Sequence, residues 1–206
     1  MSLYFKKCSF ILWFLVAYPS LGQTTEDTRM ADSTKTKVQA RWGYIRPLPF
    51  GNHFVSSDYD WGGGFEVDFQ FRLKSNFLIG VQYQNMEGKV IDEQTLNLFE
   101  TSKWNRILLT TAYDVFPGNE QLHGYVGMGM GSAILTHQYQ IENFKDDAFT
   151  LMVNVTLERK LGKAIGLFLS LQQYIDFWNI EAPANQLKDY GTSFLFMPTA
   201  GVSLFF

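Results

Sequence analysis

The chain has a single cysteine in 206 residues, Cys8, and it lies just ahead of an apolar run at the N-terminus. Everything after it lacks a thiol, which excludes disulfides, cysteine-ligated metals and cysteine nucleophiles. Histidine is almost as scarce. His53, His123 and His137 are the only three, and they are too far apart to form a spaced metal-binding pair. The charge balance is a modest -3, with neither the basic footprint of a nucleic-acid binder nor an acidic tail. Beyond the N-terminus no window is long and apolar enough to cross a bilayer as a helix. No internal repeat or second domain is needed, and no cofactor motif is found.

The N-terminus itself has the form of a secretory signal peptide over residues 1–22. Lys6 and Lys7 supply its positive region, and Cys8 to Tyr18 form an apolar core too short for a mature transmembrane helix. Ser20-Leu21-Gly22 places small residues where a signal peptidase reads, so the mature chain is expected to begin at Gln23. Residues 23–37 are polar throughout and read as a flexible periplasmic leader.

Aromatic residues are abundant, at 17% with 19 Phe. The stretch that organises the remainder is Gly64 to Leu73. Phe65, Val67, Phe69, Phe71 and Leu73 share one face of a strand, and Glu66, Asp68, Gln70 and Arg72 share the other. Seven further segments alternate in the same way, near 38–46, 77–85, 104–116, 122–136, 148–161, 164–177 and 192–206. The connections near 74–76, 117–121 and 162–163 are tight turns. Those near 47–60, 86–103, 137–147 and 178–191 are long. Short connections at one end and long ones at the other predict an all-β, eight-stranded, antiparallel up-and-down barrel over residues 38–206, with both termini periplasmic.

A soluble barrel would place its apolar faces inward. Strands of roughly 10–13 residues instead match tilted membrane strands. The polar face carries Arg41, Glu66, Asp68, Arg72, Arg106, Asp114, Glu158 and Asp176, both signs together, as a narrow lumen lined by paired charges requires. The first seven of these are the predicted lumenal charge network. Eight strands leave an interior that side chains fill, so no open pore is expected. Pro198 interrupts the closing strand and predicts a bulge or a local break in pairing. Gly127, Gly129 and Gly131 on an inner face predict room for large neighbours or relief of curvature.

The chain ends on Phe206, with Leu204, Val202 and Ala200 in the same phase. In this closing pattern it resembles the small eight-stranded outer-membrane barrels of Gram-negative bacteria, the OmpA/OmpX-like group. That resemblance implies an outer-membrane location and recognition of Ala200, Val202, Leu204 and Phe206 by the barrel assembly machinery. It also implies contact with outer-membrane lipid and lipopolysaccharide, and a non-enzymatic envelope role exercised through the long loops. The loop at 86–103, with Ile91, Leu96, Leu98 and Phe99 among acidic residues, is the candidate for an envelope or extracellular protein partner. The alternatives are a lipid-modifying barrel enzyme and an accessory barrel of a secretion machine.

Candidate chemistry is sparse. His53 lies near Ser56, Ser57, Asp58 and Asp60, but adjacency in sequence does not make a catalytic triad. No His-x-Ser-Asn motif of the barrel deacylases is present. Trp61, Tyr83, Trp104, Phe149, Phe177, Trp178, Phe194 and Tyr44 gather near the long-loop end. They predict a membrane-interface girdle, with a glycan-stacking platform as the alternative.

Overall fold

The computed structural model describes residues 38–51, 53–74, 76–91, 101–139, 142–180 and 191–206. The expected signal peptide (1–22), the expected leader (23–37) and residues 92–100 of the candidate partner loop 86–103 therefore lie outside the described residues. Eight long strands form the wall: β1 (Val38–Ile45), β3 (Tyr59–Lys74), β4 (Phe77–Val90), β5 (Thr101–Asp114), β6 (Leu122–Tyr139), β7 (Glu142–Lys160), β8 (Ile165–Trp178) and β9 (Thr192–Phe205). A two-residue strand, β2 (Leu48–Pro49), and a single helical turn, α1 (Phe54–Ser57), lie between β1 and β3. Each long strand pairs antiparallel with the next, and β1 pairs with β9, so the sheet closes into a barrel.

The period-2 pattern sorts the side chains as the alternation requires. Trp42, Phe69, Phe71, Val81, Leu109, Met128, Val153 and Leu167 are exposed on the outer wall, while Arg41, Glu66, Asp68, Gln82, Arg106 and Glu158 are buried. A soluble barrel has the opposite sorting. Met128 is 63% exposed halfway along β6, an arrangement that is stable only against hydrocarbon. The protein is a transmembrane β-barrel.

Two connections differ from their sequence-based reading. The segment 137–147 is not a long loop, because β6 runs on to Tyr139 and β7 starts at Glu142, with the two residues paired. In the same way β4 and β5 continue to Val90 and back from Thr101. These extensions escaped the sequence pattern because their outward residues, Glu87, Lys89, Lys103, Thr136 and Lys145, are polar. Alternation is legible only where one face meets lipid.

Pro198 breaks pairing on one side only. The β8 ladder passes through Leu171↔Pro198 unbroken. The ladder on the other side stops at Ile45↔Thr199 and resumes as β2 at Leu48↔Phe196 in the same register. The missing N–H faces β1 and β2, and there only the Pro198 carbonyl is used, accepting from Arg46 N at 3.1 Å.

The inner-face glycines provide space. A Cβ on Gly127 would stand 2.3 Å from Asn154 Oδ1, one on Gly129 3.0 Å from Met152 Cε, and one on Gly131 2.0 Å from the Ile107 carbonyl oxygen. The first two admit side chains from β7, and the third allows β5 to approach.

Candidate functional site

The lumen is filled in two tiers. Toward the short-turn end and the middle it is polar. Arg41 donates through Nε to Glu158 at 2.8 Å and through Nη1 to Asp68 at 3.4 Å, and its guanidinium lies over the Tyr125 ring. Glu158 also accepts from Ser203 at 2.9 Å and from the Gln39 amide. Arg72 meets Asp114 at 3.2 Å, and His123 Nδ1 meets the same carboxylate at 3.0 Å. Glu66 is held by the amides of Gln84 and Gln172, each at 2.8 Å, rather than by a cation.

Arg106 belongs to a separate cluster. It pairs with Asp176 at 2.6 Å between the rings of Trp104 and Tyr174, and Thr150 and Ser193 donate to the same carboxylate. Among the described residues the ion pairs centre on Arg41 with Glu158 and Asp68, on Asp114 with Arg72 and His123, and on Arg106 with Asp176. Arg41–Glu158 joins β1 to β7 and Arg106–Asp176 joins β5 to β8 across the bore, whereas Arg72, Asp114 and His123 meet between β3, β5 and β6.

The tier at the long-loop end is apolar. Trp61, Trp104 and Trp178 are buried inside the barrel, with Trp104 5.1 Å from Trp61 and 5.2 Å from Trp178 between ring centroids. These three are therefore not part of a membrane-interface girdle, and they form the plug. Tyr44, Phe149, Phe177 and Phe194 do face outward. Tyr83, paired with Val67 and Ile107, shares their outward phase, so the three tryptophans of β3, β5 and β8 face inward and the tyrosines and phenylalanines of the group face out. Trp61 falls inward because a bulge between Trp61 and Gly64 shifts the β3 register ahead of the clean alternation.

The turn α1 caps the mouth. Phe54 and Val55 are buried, Trp61 Nε1 donates to the Val55 carbonyl at 2.9 Å, and Phe54 stands edge-on to Trp178 at 5.5 Å. His53 is buried beside it. Its Nε2 stands 2.9 Å from the Phe50 carbonyl oxygen and 3.2 Å from the Phe194 amide nitrogen, and burial lowers its pKa.

His137 lies in a different setting. Ser102 and His137 face each other across β5 and β6, and Ser102 Oγ is 2.8 Å from His137 Nδ1. Asp146 of β7 places Oδ2 2.9 Å from His137 Nε2. A carboxylate only accepts, so Nε2 carries the proton and Nδ1 is the lone-pair nitrogen toward the hydroxyl. Tyr59 stacks on the imidazole at 6.1 Å, and its hydroxyl reaches the same Nδ1 at 3.2 Å. Ser102 is fully buried, whereas the Asp146 side chain is 31% exposed.

Sequence reasoning named His137 but missed Ser102 and Asp146, having read both as loop residues. One signal was present. Continuing the β5–β6 register upward from the 115–121 turn puts Ser102 opposite His137. Among the described residues no group of three or more His, Cys, Asp and Glu could hold a metal ion.

Closed antiparallel pairing of eight long strands with a lipid-facing exterior decides the structural class. The fold is that of the small eight-stranded outer-membrane barrels. Neisserial surface protein A superposes with a TM-score of 0.58 at 14% identity, over 82% of this chain and 96% of that one. The N-terminal β-barrel domain of Pseudomonas aeruginosa OprF gives 0.52 at 12% identity, over 83% and 98%. Ail, the attachment invasion locus protein of Yersinia pestis, solved with the heparin analogue sucrose octasulfate, gives 0.50 at 11% identity, over 82% and 97%. No family model and no curated protein matches the sequence. At these identities the shared property is the small-barrel fold, and the filled bore described above is what eight strands leave room for.

Proposed function

We propose that this protein is a sealed outer-membrane barrel that works by contact at the cell surface and does not conduct solute. The observation that carries this reading is the double closure of the bore, by α1 over the tryptophan plug and by cross-lumen charge clusters beneath it. With conduction removed, what the chain offers its surroundings is its long-loop end. There the β4–β5 and β6–β7 strand pairs continue past the apolar belt, to Lys89↔Thr101 and Tyr139↔Glu142. Segment 92–100 joins the first of these, and we assign it the envelope or extracellular protein partner. Outer-membrane lipid and lipopolysaccharide surround the wall, and Ala200, Val202, Leu204 and Phe206 are the residues we assign to recognition by the assembly machinery. Ail with a sulfated sugar analogue shows a protein of this fold holding a ligand. We assign the protein a non-enzymatic role, with Ser102 fully buried in the filled bore.

Two measurements test this together. Purified barrel in planar bilayers should give no steady conductance. Cells displaying the wild-type chain should bind members of a glycan and matrix-protein panel that cells lose when residues 92–100 are replaced by a Gly-Ser linker of equal length. Large steady conductance, or equal binding by the exchanged chain, overturns the reading.

A further inference from the structure

We infer that α1 is an acid-released lid on the mouth of the barrel, clasped shut by the side chain of His53. The inference rests on the cap and plug described above and not on the contact function.

Two backbone hydrogen bonds bound the lid. Phe50 N donates to the Phe194 carbonyl at 3.1 Å before it, and Ile91 N donates to the Asp58 carbonyl at 2.8 Å after it. Between these points α1 is held together by its own bonds. Ser56 N and Ser57 N donate to the His53 carbonyl, Asp58 N donates to the Phe54 carbonyl, and Ser56 Oγ donates to the Gly51 carbonyl at 2.6 Å. The turn can therefore move as one body, and Gly51, exposed at a φ of +98°, gives its leading edge backbone freedom. Phe54 and Val55 seat it in the mouth, Trp61 Nε1 donates to the Val55 carbonyl, and His53 reaches across to β9.

The clasp takes the place of a strand hydrogen bond. A Phe50–Phe194 pair in an antiparallel ladder would exchange two bonds. One is present, and His53 Nε2 answers both ends of the other, 2.9 Å from the Phe50 oxygen and 3.2 Å from the Phe194 nitrogen. Nε2 serves one of these groups at a time: protonated it donates to the carbonyl, unprotonated it accepts from the amide. Nδ1 is buried and meets no hydrogen-bond partner among the described residues. A second proton would set Nε2–H against the Phe194 N–H and leave a buried Nδ1–H without an acceptor, beside the ring of Phe194.

The surrounding charges do not compensate. Asp176 of β8 favours the protonated ring but is already paired with Arg106 of β5. α1 carries no charged residue, Asp58 at its end accepts from Ser57 Oγ, and Asp60 of β3 is exposed. From β2 and β9 the ring is faced by Phe50 and Phe194. Burial therefore outweighs the hydrogen bonds and lowers the pKa of His53. The closed position is favoured above the free histidine pKa of about 6.5 and is lost as pH falls below it. With the second proton excluded from the closed position, the open-to-closed ratio rises by up to about thirtyfold between about pH 7.5 and 5. Release would lift Phe54 and Val55 out of the mouth and uncover Trp61 and Trp178, with the charge clusters below left in place. Acid then exposes apolar surface at the long-loop end without opening a pore.

The test uses the full chain carrying Cys8→Ser, refolded in lipid, so that an added cysteine is the single thiol. Val55→Cys reports on the lid, and Gly118→Cys, in open space on a short turn, is the reference. Labelling of Val55→Cys by an uncharged pyridyl disulfide, taken relative to the reference at each pH, should rise roughly ten- to thirtyfold from about pH 7.5 to 5. Heat-modifiable gel mobility should stay that of the folded barrel throughout. His53→Gln keeps a neutral amide near both backbone groups but does not titrate, and it should abolish the rise, whereas His137→Gln should retain it. Should Val55→Cys fail to fold, iodide quenching of the tryptophans in the wild type and in His53→Gln reads the same movement. Neither readout measures conductance or binding, so failure here leaves the contact function standing. A signal flat with pH, a rise that persists in His53→Gln or is lost in His137→Gln, or a rise that comes with loss of folded mobility overturns the inference.

Discussion

Removing the carboxylate of Asp176 should destabilise the barrel more than removing the whole ion pair. Arg106 and Asp176 are both fully buried, and the pair is 2.6 Å apart. In Asp176→Ala the guanidinium keeps its place between Trp104 and Tyr174 but has no counter-charge, at a cost of about 3–5 kcal/mol. Thr150 and Ser193 lose the acceptor they share, and Ser193 also accepts from Trp178 Nε1 at 2.9 Å, so the loss reaches the plug. Set against a total stability of about 5–15 kcal/mol, this is a large fraction. The double variant Arg106→Met, Asp176→Leu removes both charges and refills the volume, and it should lie within about 1–2 kcal/mol of wild type. Urea unfolding in phospholipid vesicles, followed by tryptophan fluorescence, measures all the corners of this cycle. A loss below about 1 kcal/mol for Asp176→Ala, the value of an exposed pair, would refute the reasoning. So would a double variant as unstable as the two single losses added together.

Three further outcomes are expected. Met128→Arg faces the middle of the lipid belt and should cost about 2–4 kcal/mol in the same unfolding assay. Gly131→Leu must displace β5 backbone and should cost about 1–3 kcal/mol or prevent folding, whereas Gly118→Ala, whose Cβ meets nothing within 4 Å, should be neutral. The fold holds His53 neutral, with its pKa lowered by burial, so its contribution is complete above the unfolded histidine pKa of about 6.5 and is lost as pH falls below it. Tryptophan emission should therefore shift red on acidification, and His53→Gln should flatten the shift.

The exterior of this barrel was legible because lipid imposes one rule on every strand. Phe69, Met128, Val153 and Leu167 had to be apolar, and their phase gave strand number, direction and closing order. The interior follows no such rule. A lumen position is satisfied by Trp104, by Arg106 two residues on, or by Gly131, provided that something across the bore complements it. Arg41 finds Glu158 and Gln84 finds Gln172 across the lumen, between strands that are not neighbours. Such partners follow from closure and stagger of the whole sheet, which no local window contains. The same argument applies to the histidines. Ser56, Ser57, Asp58 and Asp60 were near His53 in sequence, yet the complete Ser–His–Asp chain formed around His137, from three strands in register. In a barrel, residues adjacent along one strand point to opposite sides of the wall, while residues 35 apart on neighbouring strands can touch, as Ser102 and His137 do. Chemistry here has to be sought across the ladder, beginning with the polar side chains just above the apolar belt, where the lipid rule no longer accounts for them.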